Sequence, residues 1–105
     1  MKTAIVNIDT IVTGDWRQPS VDGDTIVMDN GMIEVVGTAS GKAVSTCDVV
    51  IDADGATAVP GFIDSQVHNT FGDYTPRQKT VGFLESYVHG GTTTGISASE
   101  VHVTG

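Results

Sequence analysis

The feature that most constrains how this chain can fold is a strand–helix–strand pattern in its C-terminal part. Phe62–Val67 reads as a buried strand that begins directly after Pro60-Gly61. Thr75-Pro76-Arg77-Gln78 then starts a helix in two independent ways. Thr75 can cap the free N–H groups while Gln78 reaches back to it, and Pro76 takes the first helical position, where its missing donor costs nothing. Val81, Leu84 and Val88, flanked by Phe83 and Tyr87, recur at helical spacing, and Gly90-Gly91 permits the left-handed turn that ends the helix, which predicts a helix over 76–89. The β-branched run Thr92–Ala98 supplies the second strand, and a crossover of this length joins parallel strands. Parallel strands are normally covered on both faces and paired at their edges, so residues 61–105 alone leave much of the expected core uncovered.

The first sixty residues have a different texture. Ala4–Ile8, Ile11–Thr13, Thr25–Met28, Met32–Gly37, Val49–Asp52 and Thr57–Val59 read as short strands, and segments 14–24 and 38–48, rich in Gly, Ser, Thr and Asp, read as loops. Asn30-Gly31 separates two of the strands, and this pair takes the positive φ angles of a tight hairpin turn more readily than other pairs do. The reading is a β-rich segment over 1–60 and a strand–helix–strand unit over 61–105, with no internal repeat and no low-complexity tract.

Val59-Pro60-Gly61-Phe62-Ile63-Asp64-Ser65-Gln66-Val67-His68 resembles the start of the barrel in the amidohydrolase superfamily, where a PGxID-x-H-x-H run leads out of a small β-sandwich. Upstream, DTIVMDNGMIEVVG and VVIDADGATAVPGFID are similar to the sandwich strands of that superfamily. Downstream, GDYTPRQKT and HGGTTTGISA are similar to the first barrel helix and second strand of its enamidase-like members. The resemblance runs over nearly all 105 residues. It implies an α/β fold of the metal-dependent hydrolase type: a partial N-terminal β-sandwich followed by the first βαβ unit of a (β/α)8 barrel. Against the roughly 250 residues of a typical barrel, that architecture is incomplete here. The resemblance further implies hydrolysis of a non-peptide C–N bond in a cyclic amide or enamide, a divalent metal (zinc or iron) in the intact enzyme, and a homo-oligomer at full length.

Residues i and i+2 of a strand share a face, so two histidines separated by one residue can reach one metal in the barrel mouth. Gln66 stands at the first of these positions and His68 at the second. A glutamine carbonyl is a neutral oxygen ligand and suits a borderline-soft ion such as zinc less well than imidazole nitrogen does. In the family the remaining ligands and the catalytic base come from later barrel strands, so no catalytic residue is assigned in this chain. Metal-assisted hydrolysis needs about three ligands and an open position, which Gln66, His68 and His102 do not supply, and the isolated chain is expected to be inactive.

Asp64 reads as structural, holding the strand end or orienting a ligand. Asp73 and Arg77, with Tyr74 and Lys79, fall in the first βα loop and helix start, where loops of this fold class build the substrate pocket. Asp73, Arg77 and His102 are the substrate-binding candidates. A solvated helix face is the commoner explanation for Arg77 and Lys79, and a lone histidine near a chain end is more often just solvated. His89 precedes the helix-ending glycines, where an imidazole can interact with exposed carbonyls.

Composition narrows the function further. Thirteen acidic against five basic residues give a net charge of −8, which repels phosphate backbones and anionic lipid and speaks against nucleic-acid or membrane-surface partners. Cys47 is the only cysteine, so neither an intramolecular disulfide nor a thiolate zinc site can form, and a cytoplasmic location is expected. The competing reading is a truncated or degenerate, non-catalytic paralogue that serves only as a partner or structural chain, favoured by Gln66 at a ligand position. A small independent β-rich binding domain is a third reading, which the apolar helix stripe and the unpaired parallel strands oppose.

Overall fold

Asn30 and Gly31 adopt φ angles of 49° and 77° in the computed structural model, the left-handed pair that a two-residue hairpin loop requires. They join β4 (Thr25–Asp29) to β5 (Met32–Gly37), which pair antiparallel with Asp29 opposite Met32. The structure describes residues 1–67 and 80–97, and the chain divides into two compact units, Met1–Pro60 and Gly61–Gly105.

In the first unit, β1 (Lys2–Val6) lies inside a four-stranded sheet of order β5-β4-β1-β6, antiparallel to β4 and parallel to β6 (Val49–Asp52). A second sheet of order β3-β2-β7 combines β3 (Ser20–Val21), β2 (Thr10–Val12) and β7 (Thr57–Ala58). Alternation along β4 buries Thr25 and Val27, and the Thr25 hydroxyl is satisfied by donating to Asp24 Oδ1 at 2.8 Å. Ala4, Ile8, Ile11 and Val27 form the buried apolar core of this unit. Ile11 and Val21 from one sheet and Ile26, Ile33 and Val36 from the other line an apolar cleft of about 460 Å³, so the sandwich is only partly filled.

Several boundaries differ from the sequence expectation, each for a local reason. β1 begins at Lys2 and stops at Val6 because Asn7 turns left-handed at φ 57°, which frees the Ile8 N–H to donate to Asp24 O at 3.0 Å. Segment 14–24, expected as loop, contains β3, whose two residues are held by pairing with Ile11 and Val12. Segment 38–48 contains α1 (Gly41–Ser45), started by the Ser40 side chain accepting from Ala43 N at 3.1 Å. A single turn with no buried residue has no apolar periodicity to betray it.

The second unit comprises β8 (Phe62–Val67), α2 (Thr80–His89) and β9 (Thr92–Ser97), with β8 and β9 parallel. The expected strand–helix–strand crossover is therefore present. β8 is not the buried strand expected: Val67 is 2% exposed, whereas Phe62 and Ile63 are 58% and 67% exposed. The two strands and one helix among the described residues cannot by themselves cover both faces of a parallel pair. The expected helix start at 76 and the strand end at Ala98 lie outside the described residues.

Candidate functional site

The site region is the C-terminal half of β8. Its entry is set by Gly61, where a Cβ would run into the Thr93 side chain of β9, so only glycine lets the two strands approach as they do. The Phe62 N–H donates to Gly91 O at 2.8 Å, and Gly91 turns at φ 90° between α2 and β9. That turn also ends the helix, with Gly90 N donating to Ser86 O at 3.1 Å and Gly91 N to Val88 O at 2.9 Å. Pro60-Gly61 and Gly90-Gly91 thus fix where β8 starts relative to β9.

Further along, the β8–β9 register shifts between Asp64 and Val67. Within that irregularity the Gln66 N–H donates to Asp64 Oδ1 at 3.1 Å, so a side-chain carboxylate takes over a donor that regular pairing would have claimed. Asp64 is half-buried and Gln66 exposed. Asp64 thus makes a local contact to the main chain of its own strand. Val67 turns into a cleft of about 330 Å³ shared with Leu84, Tyr87 and Val88 of α2 and with Gly95 of β9. A Cβ on Gly95 would stand 3.2 Å from Val67 Cγ2, so the small residue makes room for the buried valine.

Of the residues expected to form the site, Gln66 is the one described. His68, Asp73, Arg77 and His102 lie outside the described residues. Among the described residues no group of three or more His, Cys, Asp or Glu side chains converges as a metal site would require. Gln66 carries one neutral amide oxygen, so a metal site that included it would need ligands beyond the described residues. His89 sits exposed in the last turn of α2, at the end where a basic group is favourable. Tyr87 was read in the sequence only as a flank of the helix stripe, and it lines the cleft beside Val67. Among the described residues no helix is long and apolar enough to cross a membrane.

No family model matches the chain. Its fold, however, superposes on the crystal structure of enamidase, a member of the amidohydrolase superfamily, with a TM-score of 0.80 at 45% identity, covering 99% of this chain and 27% of that one. The open sheets and the β8–α2–β9 crossover are those of an incomplete barrel of this type, and the chain belongs to the amidohydrolase superfamily. Within it, the similarity is to the enamidase of Eubacterium barkeri, 45% identical over 104 residues, 99% of this chain and 27% of the relative. Adenine deaminase of Paracoccus denitrificans is 35% identical over 85 residues, 77% of this chain and 14% of the relative. Imidazolonepropionase of an Arthrobacter species is 34% identical over 92 residues, 87% of this chain and 22% of the relative. The chain thus spans about a quarter or less of the length of these relatives.

Proposed function

We propose that this sequence forms the opening part of a metal-dependent amidohydrolase that hydrolyses a non-peptide C–N bond in a small cyclic amide or enamide. The observation that carries the reading is the 45% identity to enamidase sustained over 104 residues. In this reading residues 1–60 contribute to the β-sandwich and 61–105 open the barrel. Gln66 and His68 stand at the two ligand positions of the family's sequence run, and Asp73, Arg77 and His102 are the residues assigned to substrate binding. The metal is zinc or iron. The part played by Asp64 and Val67 is positional: Asp64 accepts from the Gln66 main-chain N–H, and Val67 is buried beside Leu84, Tyr87 and Val88 of α2. The 105-residue chain alone is inactive in this account, because it spans 27% of the relative's length.

The test uses the longest natural polypeptide carrying this sequence, assayed for bound metal and for hydrolysis of a cyclic enamide. His68→Ala should lower metal content and hydrolysis together by about tenfold or more, as loss of a metal-holding group does. Gln66→His should raise zinc retention under mild chelation, since imidazole is the better zinc ligand. A metal-loaded polypeptide without hydrolysis would point instead to the non-catalytic paralogue. Unchanged metal content in His68→Ala would remove His68 from the site.

A further inference from the structure

The turn between β4 and β5 places three groups together that the hydrolase reading does not use. Asn30 is exposed, and its Oδ1 accepts a hydrogen bond at 3.2 Å from the Met1 ammonium, which also lies 3.8 Å from Asp29 Oδ1. Gly31 follows at φ 77°, with nothing within 4 Å of the position a Cβ would take. Residues at the tip of a two-residue loop lie between the ladder hydrogen bonds, so the Gly31 N–H is open to solvent. From this geometry we infer that Asn30 is a site of spontaneous succinimide formation and conversion to isoaspartate, promoted by the ammonium held against its side-chain carbonyl.

The chemistry needs only water. The Gly31 nitrogen loses its proton and attacks Asn30 Cγ, forming the N–Cγ bond. The Cγ–Nδ2 bond then breaks and the nitrogen leaves as ammonia, carrying the proton. Water opens the resulting succinimide at Cγ to give aspartate, or at the main-chain carbonyl to give isoaspartate. The ammonium stabilises the oxyanion that develops on Oδ1 during attack, as a preorganised donor does in an oxyanion hole. Isoaspartate routes the main chain through one extra methylene in a loop whose register, Asp29 opposite Met32, has no spare residue to absorb it.

Asn7 supplies the internal contrast. It also has a positive φ of 57°, but its Nδ2 donates to Asp52 Oδ1 at 3.0 Å. The next nitrogen, Ile8 N, is tied to Asp24 O at 3.0 Å, and Ile8 is 3% exposed. Neither the leaving group nor the nucleophile is free there.

The experiment ages the full chain in warm buffer at about pH 6.5, below the ordinary α-amino range, and maps isoaspartate by peptide mass spectrometry. Conversion is expected at Asn30 while Asn7 stays intact. Gly31→Ala should slow it about tenfold, because a Cβ crowds the attacking nitrogen and disfavours the positive φ. Because that variant also strains the turn, a second measurement acetylates the α-amino group of the unaltered chain. The rate at Asn30 should fall by at least roughly twofold when the ammonium is neutralised, and by nothing in urea, where the turn is absent. Conversion at Asn7 before Asn30, or equal rates with and without acetylation in the folded chain, would overturn the proposal.

Discussion

Replacing Gly23 by alanine should destabilise the first unit far more than replacing Gly55, although both are loop glycines with positive φ. Gly23 lies at φ 117°, and a Cβ there would overlap the main-chain carbonyl of Gly37. That carbonyl accepts from Asp24 N at 2.8 Å, and Asp24 O in turn accepts from Ile8 N at 3.0 Å, so one short segment fastens the end of β5 to the turn after β1. Gly37 is equally constrained at φ 117°, with its own Cβ position 2.7 Å from Asp22 O. No rotamer relieves a clash between a Cβ and backbone, so the loop must move and release the Asp24–Gly37 bond. Gly55 has φ 81° and open space around it. Gly55→Ala therefore costs only the left-handed penalty, about 1–2 kcal/mol. Gly23→Ala adds the lost hydrogen bond and the carbonyl left without its partner, another 1–3 kcal/mol or so, roughly 2–5 in all. At about 0.05–0.15 kcal/mol per residue a sixty-residue unit has roughly 3–9 kcal/mol to lose, so Gly23→Ala brings it near the edge of folding. Urea unfolding followed by far-ultraviolet circular dichroism gives both midpoints in one series. If the two variants unfold within about 0.5 kcal/mol of each other, the close-approach argument is wrong.

Acid should weaken the first unit partly through Asp52, whose carboxyl is held below its ordinary range by the Asn7 side-chain amide and then by the Asp54 N–H. A group with a lowered folded pKa contributes stability above its unfolded value and loses it as pH falls through the folded value, so Asn7→Ala should flatten the acid limb of the stability curve; an unchanged limb in urea midpoints refutes this. Lys2 carries the opposite sign, raised mainly by its hydrogen bond to Glu34 at 3.1 Å, so its contribution is complete below the ordinary lysine range and fades as pH rises through the raised value. Glu34→Gln should remove that alkaline component, as read from the same titration. In the second unit Ile63, Leu84, Val88 and Ile96 are 67%, 52%, 64% and 56% exposed, so the chain by itself should bind an apolar dye and self-associate. Leu84→Ser with Val88→Ser should lower the dye signal; unaltered binding and a monomeric wild-type chain would count against an uncovered apolar face.

The sequence made the repeating and the punctuated parts of the fold legible. Asn30-Gly31 announced its hairpin because few other pairs reach those dihedrals, and Gly90-Gly91 announced the end of α2 for the same reason. The pairing of β1 with the distant β6 left no local trace, since nothing in Lys2–Val6 specifies a partner at Val49–Asp52. β3 and α1 were read as loop because two residues and one turn are too short to show a period. The acceptance of Asp64 from Gln66 N was not legible, because it depends on a register shift that alternation does not encode. The apolar run of β8 was read as buried; hydrophobicity reports what a strand needs, whereas burial depends on which layers are there to cover it.

The central claim, that this sequence works as the opening part of a longer amidohydrolase, is tested most directly by the mass of the native polypeptide in its source cells. An antibody against residues 14–24 followed by intact mass spectrometry would measure it. The account predicts a species several times heavier than 10.9 kDa that retains a divalent metal. A stable 10.9 kDa species as the sole product would contradict it.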